Sequence, residues 1–336
     1  MPDQKEEQQE TKEDLVPHFM PALGTLLALL EMKKKERLSE QEIIECRDNA
    51  ACIMMQRQHV EEMKATMGVD VDPENVLADW QKRRIEYIES YWPSLVLCVL
   101  TKDEVTQKCC DLLKANEIEF ELKERDEQLP AAITQYASYF NPYIGAEEKA
   151  SLATHSNYLI VHSQPFKSAD AIATTSAFLP IISELFDKGA LAVSVESASV
   201  MHSKAAWQHF NEKHAEIPLE TMICAYVQMP VTVDGAIMSV GMQHLGQPDY
   251  IVDNETLRSI KGRDPSIELS RIAFELFQTL AIYQLEECQP NSFLSGNTFS
   301  LNSESQRFKV CIEHCSFFRE TDIRFNPFGM WRLSLK

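Results

Sequence analysis

Four side chains stand where two apolar runs end. His162 and Ser163 follow Tyr158-Leu159-Ile160-Val161, and Glu196 and Ser197 follow Leu191-Ala192-Val193-Ser194-Val195. A histidine and a carboxylate at adjacent strand ends can act as base and orienter, or as two contacts to a bound ligand. The plainer reading is that all four finish strands and bond loop backbone. His202 follows closely, placed either to contact the same ligand or to cap a helix starting at Ser203. Gln243 and His244 lie between Gly241 and Gly246, in a polar loop of the kind that binds partners. The alternative there is a turn whose glycines meet a backbone requirement.

Other chemistry is argued against by spacing. His202, His209 and His214 contain no pair at the i, i+4 separation that puts two metal ligands on one helix face. Cys311, His314 and Cys315 resemble a zinc cluster, but on a strand the two cysteines share a face and His314 points to the other. Cys109 and Cys110 are helix neighbours that do not face each other. There is no phosphate loop, no dinucleotide fingerprint and no nucleophile elbow. The sequence therefore implies no catalytic residue, no metal and no cofactor.

The two apolar runs read as strands covered on both faces. Between them Ala171, Ile172, Thr175, Phe178, Leu179, Ile182, Leu185 and Phe186 recur at helical spacing, with Ser168 as cap, Asp170 in the first turn and Gly189 as the stop. Pro180 should kink or split that helix. A strand–helix–strand unit of this length predicts two adjacent parallel strands, whose carboxyl edge is where ligands sit in α/β sheets.

Around this unit the pattern changes twice. Residues 1–14 are polar and acidic and are expected to be a disordered tail. Residues 15–92 read as a helical unit: a helix or two over Leu15 to Arg37, one from the Ser39/Glu42 capping box to Gly68, and one opened by Asp72-Pro73 and ended by Pro93. This unit is either a packed subdomain or a docking or dimerisation arm with methionines at an adaptable contact surface. From 93 to 336 strands and helices alternate. A Thr101/Glu104 capping box, a strand over Thr221 to Met229, an Asp234-Gly235 hairpin, a helix opened by Asp264-Pro265 and a β-rich C-terminus are expected. The fold class is α+β: a helical N-terminal unit, then a mixed-sheet domain that can hold two related half-domains.

The 336 residues carry 51 acidic and 32 basic side chains, a formal charge of −19. Such a surface repels nucleic-acid phosphates and anionic membranes. Nine scattered cysteines, several inside apolar runs, read as reduced thiols and not a disulfide framework. With no signal-peptide pattern at the N-terminus, the expected location is the cytoplasm, export by a signal-independent route aside.

Three stretches carry a resemblance: GALAVSVESASVMHSKAAW, AIMSVGMQHLGQPDYIV, and FLSGNTFSL followed by an alternating strand. From about residue 93 onward the chain resembles a bacterial domain family of unknown function (number 4261). The resemblance implies a small-Gly-Leu segment ending in Gly-x-Pro, matched by Gly241 to Pro248, and an acidic residue between Gly and Thr near the C-terminus. Asn297 occupies that last position, so a charge-dependent role there is not implied. The family has no established activity. What remains is an interaction protein, binding a protein partner or a second copy of itself, with His162, Ser163, Glu196, Ser197, His202, Gln243, His244 and Asn297 as candidate ligand or partner contacts. The alternative is an enzyme of unrecognised class at His162 and Glu196. No small-molecule ligand is identified.

Overall fold

The computed structural model describes residues 15–34, 38–67, 69–87, 92–136, 145–262, 264–288, 293, 295–313, 315–319 and 321–336. The expected acidic tail and His314 lie outside the described residues. The chain forms two compact units, Met1–Tyr91 and Trp92–Lys336.

The first unit is not purely helical. Strand β1 (Leu15–Phe19) precedes helix α1 (Leu23–Lys34), and helix α2 (Glu40–Asn49) is followed by strand β2 (Cys52–Gln56), helix α3 (Arg57–Met67) and helix α4 (Val76–Tyr87). The Ser39/Glu42 box opens α2: the Glu42 N–H donates to Ser39 Oγ at 3.3 Å and the Ser39 N–H to Glu42 Oε2 at 2.7 Å. The long helix expected to Gly68 is broken because Cys52–Gln56 pairs antiparallel with Leu15–Phe19. Short apolar runs suit helix or strand equally, and Pro17 was the signal against helix in the earlier run. Asp70 accepts the N–H groups of Leu23 and Gly24 at 2.7 and 2.9 Å, satisfying the first turn of α1. Inside, Phe19, Leu23, Leu27, Ile43, Val76 and Trp80 form the core, crossed by a buried Glu31–Arg84 ion pair.

The second unit is α+β with two sheets. Its first half runs β3 (Val96–Thr101), α5 (Asp103–Ala115), β4 (Glu119–Glu124), α6 (Leu129–Thr134), α7 (Ala146–Leu152), β5 (Asn157–His162), α8 (Ala171–Ser176), α9 (Phe178–Lys188), β6 (Ala192–Val195) and β7 (Val200–His202). The sheet order is β4-β5-β3-β6-β7, every neighbouring pair antiparallel. This corrects the expected crossover. β5 and β6 do run in the same direction in one sheet, but β3 lies between them. The arrangement is a split β-α-β, in which the connecting helices step over one strand. β3 is buried along its whole length, as a central strand should be.

Pro180 splits the helix, as expected: it has no N–H for the Ser176 carbonyl, so α8 ends at Ser176 and a new helix starts at Phe178, with Pro180 at its third position, where no intrahelical N–H bond is required. By length and composition Ser168–Lys188 could cross a membrane, yet its Phe178, Leu179, Ile182, Leu185 and Phe186 are buried in the core. Lys102, not Thr101, precedes α5, and the Thr101 hydroxyl bonds that of Thr106 at 2.8 Å.

The second half runs α10 (Lys204–Lys213), α11 (Pro218–Tyr226), β8 (Gln228–Val233), β9 (Ala236–Val240), β10 (Asp249–Asp253), α12 (Asn254–Arg258), α13 (Leu269–Glu286), β11 (Thr298–Phe299), β12 (Phe308–Glu313) and β13 (Met330–Leu335). Its sheet order is β11-β12-β13-β10-β9-β8, mixed because β10 and β13 are parallel. The strand expected over Thr221 to Met229 is mostly α11: Pro218 starts a helix whose Met222, Ile223, Ala225 and Tyr226 point inward. The Asp234-Gly235 hairpin forms as read. α13 begins at Leu269, four residues after Pro265. One continuous core joins both sheets, from Leu97, Val161 and Val193 to Tyr226, Tyr250, Phe277 and Leu333. The two sheets differ in strand order.

Candidate functional site

The predicted edge residues separate into two environments. His162 pairs with Val96 across β5 and β3, and the Glu196 N–H donates to Val96 O at 2.8 Å from the other side. His162 and Glu196 thus flank β3, two strand spacings or about 10 Å apart. The Glu196 carboxylate takes its hydrogen bond from the Ser194 hydroxyl and not from His162, so the two do not form a base and its orienter. Both side chains are half-buried.

Ser163 and Ser197 turn inward and secure the start of β3. Ser163 Oγ accepts the Leu95 N–H at 2.8 Å, and Ser197 Oγ accepts the Val96 N–H at 3.0 Å. Ser163 lies one residue and Ser197 two residues past the end of its own strand, and the sheet's register delivers both to adjacent amides.

Glu196 gathers a group that no spacing in the sequence announces. The Ser194 hydroxyl donates to its Oε1 at 2.6 Å. Burial holds the carboxyl above its usual range, opposed by Ser194 and by the Arg324 guanidinium. Tyr136 shares the site: burial and then the Glu196 charge push its phenol up. Arg324 is held by both oxygens of Asp322 at 2.9 and 2.7 Å and lies 4.5 Å over the Phe318 ring. Tyr136, Glu196 and Arg324 come from three distant segments.

The second environment is internal. Gln243 and His244 belong to a 3₁₀ turn, Met242–Leu245, that is buried throughout. This is the alternative of a turn whose glycines meet a backbone requirement, not a partner-binding polar loop, and the reason is steric. Gly241 and Gly246 adopt φ of +114° and +71°, and a Cβ on either would strike the backbone of Tyr226 or Ser168. Ser197 Oγ lies 2.9 Å from His244 Nε2, and His244 Nδ1 lies 3.2 Å from Tyr226 O. A carbonyl only accepts, so the network assigns the proton to Nδ1 and has the Ser197 hydroxyl donate to Nε2. That is a nucleophile–base geometry. However, both residues are 0% exposed, and a carbonyl stands where a carboxylate would orient the base. Burial lowers the His244 pKa to about 4. The Gln243 amide donates to Ser197 O at 2.9 Å and Thr175 Oγ1 to His244 O at 3.0 Å, closing the network on backbone. Beside it Asp249 accepts from Ser239 Oγ, Met242 N and Asn326 Nδ2 at 2.9, 3.2 and 2.8 Å, with burial lifting its pKa to about 7.

His202 is buried on β7 against the edges of Trp207 and Phe210, and its Nε2 bonds Ala225 O at 3.2 Å. Ser203, not His202, caps α10. Asn297 is exposed at the edge of the six-stranded sheet, where its carbonyl accepts the Val310 N–H at 2.9 Å. Cys311 lies on β12 and Cys315 is buried beyond it; all nine cysteines are free thiols. Among the described residues no three His, Cys, Asp or Glu side chains converge as metal ligands. An open cleft of about 530 Å³, lined by Asp234, Asp253, Glu255, Thr256 and Ser259, includes none of the predicted residues.

An apolar candidate lies in the first unit. Leu15, Met20, Ile53 and Met54 are 44%, 59%, 49% and 57% exposed, all on or beside the two-stranded sheet. Leu29 and Leu30 of α1 are exposed as well. The sequence marked the methionines but read them into a helix.

No family model matches the chain, and no curated protein and no solved structure is similar to it.

Proposed function

We propose that this chain is a non-catalytic binding or interaction protein of the bacterial cytoplasm, an adaptor, immunity-type partner or effector. The observation that carries the reading is the exposed apolar strip Leu15, Met20, Ile53 and Met54. By the strand register Leu15 and Met54 share one face of the two-stranded sheet and Ile53 lies on the other, and large apolar side chains exposed on both faces of so small a sheet cost free energy in water and are retained where a partner covers them. Two further observations support it. The Ser197–His244 pair is sealed from solvent, and His162 stands across β3 from Glu196. The test is crosslinking in intact cells. Wild-type chain should give a defined crosslinked species, lost in Ile53→Glu/Met54→Glu and retained in His162→Ala/Glu196→Gln. A species indifferent to residues 53 and 54 would refute the reading.

A second reading is an enzyme of unrecognised class at the strand ends. One arrangement favours it: Glu196 held half-buried beside Tyr136 and Arg324, with its carboxyl pKa raised. A small molecule whose binding raises the melting temperature of wild type but not of Glu196→Gln would support it.

A further inference from the structure

The ladder of the two-stranded sheet fixes which backbone groups face outward. The Met20 N–H donates to Ala51 O at 3.1 Å, which makes Met20 and Ala51 a hydrogen-bonded pair. Antiparallel pairs alternate, so His18–Ile53 and Val16–Met55 are bonded pairs too. The N–H and C=O groups of the residues between them point away from the partner strand. On β1 one such residue is Pro17, which has no N–H and blocks a further strand from docking on that edge. On β2 the outward residues are Cys52, Met54 and Gln56, and each has its N–H. β2 reads Cys-Ile-Met-Met-Gln: no proline, no lysine, no charge. Natural edge strands are usually guarded by one of these. Here one edge of the sheet is guarded and the other is not, and the unguarded strand is exposed at four of its five residues. No other strand borders β2 among the described residues.

The strand's own pattern decides the occupant, and charge permits it only here. The chain carries −19, so two copies repel over most of their surface. A strand without charge is where they can approach. A basic partner would find no carboxylate on β2 to select it. The strand is also its own complement. Placed antiparallel on a second copy about Met54, it sets Met54 against Met54 and Cys52 against Gln56, all outward-facing, and about six ladder bonds form. The result is a four-stranded sheet, β1-β2-β2-β1, with a two-fold axis through its centre. Both outer strands carry Pro17, so the pairing closes at two copies and does not propagate into a fibre.

We infer that the β2 edge, Cys52–Gln56, is a self-pairing strand that joins two copies of this chain into a closed dimer. This rests on the reading of the first unit's apolar strip as an interaction surface, and names its partner.

Met54→Pro is the direct test. It repeats on β2 what Pro17 does on β1, and it removes an N–H that takes no part in the internal ladder. On full-length protein, size-exclusion chromatography with light scattering should give twice the chain mass for wild type and for Met54→Val. Met54→Pro should give the single-chain mass, with self-association weakened roughly tenfold or more. Amide hydrogen exchange on wild type gives a second, mutation-free readout: Cys52, Met54 and Gln56 should lose protection on dilution while Ile53 and Met55 keep theirs. Wild type that stays at single-chain mass at high concentration would overturn the inference. If Ile53→Glu/Met54→Glu still abolished crosslinking in cells, the interaction reading would survive with a different partner. A dimer unchanged in a folded Met54→Pro, or outward amides indifferent to dilution, would remove β2 as the contact.

Discussion

Ser197 shows at the scale of one residue why a familiar pairing need not be a reactive one. Its hydroxyl accepts from the Val96 amide and donates to His244, so its hydrogen-bonding capacity goes into holding the start of β3 to the Met242–Leu245 turn. Ser197→Ala should therefore act on stability. Leaving the Val96 N–H and His244 Nε2 unpaired in the interior should cost about 1–3 kcal/mol each before relaxation, read as a lower urea midpoint with unchanged slope. A variant as stable as wild type would contradict the structural role. The buried titrating groups make a pH prediction with a sign. His202 and His244 fall to about 4 from an ordinary 6.5, so the folded chain binds fewer protons than the unfolded chain between those values. Their contribution is present above about 6.5 and lost as pH falls towards 4. Asp249 runs oppositely: its pKa rises from 3.8 to about 7, so its contribution is present at low pH and lost as pH rises through 7. With two histidines against Asp249 and the opposing rise of Glu196, stability should fall with acidification from about pH 6.5 to about 4, with a net slope of at most about one proton. Asp249→Asn should steepen it towards about two. Melting temperatures taken across that range measure both slopes; a flat profile in wild type would contradict the assignment.

The elements show what a linear pattern can and cannot specify. Capping at Ser39, the Asp234-Gly235 hairpin and the alternating β12 were legible because each depends on residues a few positions apart. Strand order was not. Periodicity identifies β5 and β6 as buried strands of one direction but does not say that β3 lies between them, since that depends on which strands share the best-buried centre. α11 was lost for a related reason: MICAYV fits a strand or a helix face, and only packing on the core decides. The grouping of Tyr136, Glu196 and Arg324 had no local signal at all. Gly241 was legible as a turn residue but not as a buried one. Its backbone sits against Tyr226 and Ala198, whereas Gly235 faces open space at φ +73°. Gly241→Ala should therefore destabilise by several kcal/mol, roughly 3 or more, and Gly235→Ala by only about 1. Equal losses in chemical denaturation would mean that the close approach at Gly241 does not exist.

For the whole molecule, the physical division is between polar groups turned inward and apolar groups left outside. The Ser197–His244 and Asp249–Asn326 networks rigidify the junction of the two sheets. In the first unit an uncharged strand lies at the surface of a chain of net charge −19. Breaking the buried Glu31–Arg84 pair should separate the two units experimentally. Arg84→Ala leaves a carboxylate in the core of the first unit, and a loss of about 3–5 kcal/mol is expected there. In scanning calorimetry the transition of the first unit should move down and that of the second should stay; a shift of both together would mean that they unfold as one.

Sedimentation equilibrium on the full chain gives the most direct reading of where this protein makes its contacts. The dissociation constant of the wild-type dimer should rise by roughly tenfold or more in Ile53→Glu, and should stay within about twofold of wild type in His162→Ala/Glu196→Gln, because those side chains take no part. Self-association that ignored residue 53 and collapsed on loss of His162 and Glu196 would place the functional surface at the strand ends and rule out β2 as the contact.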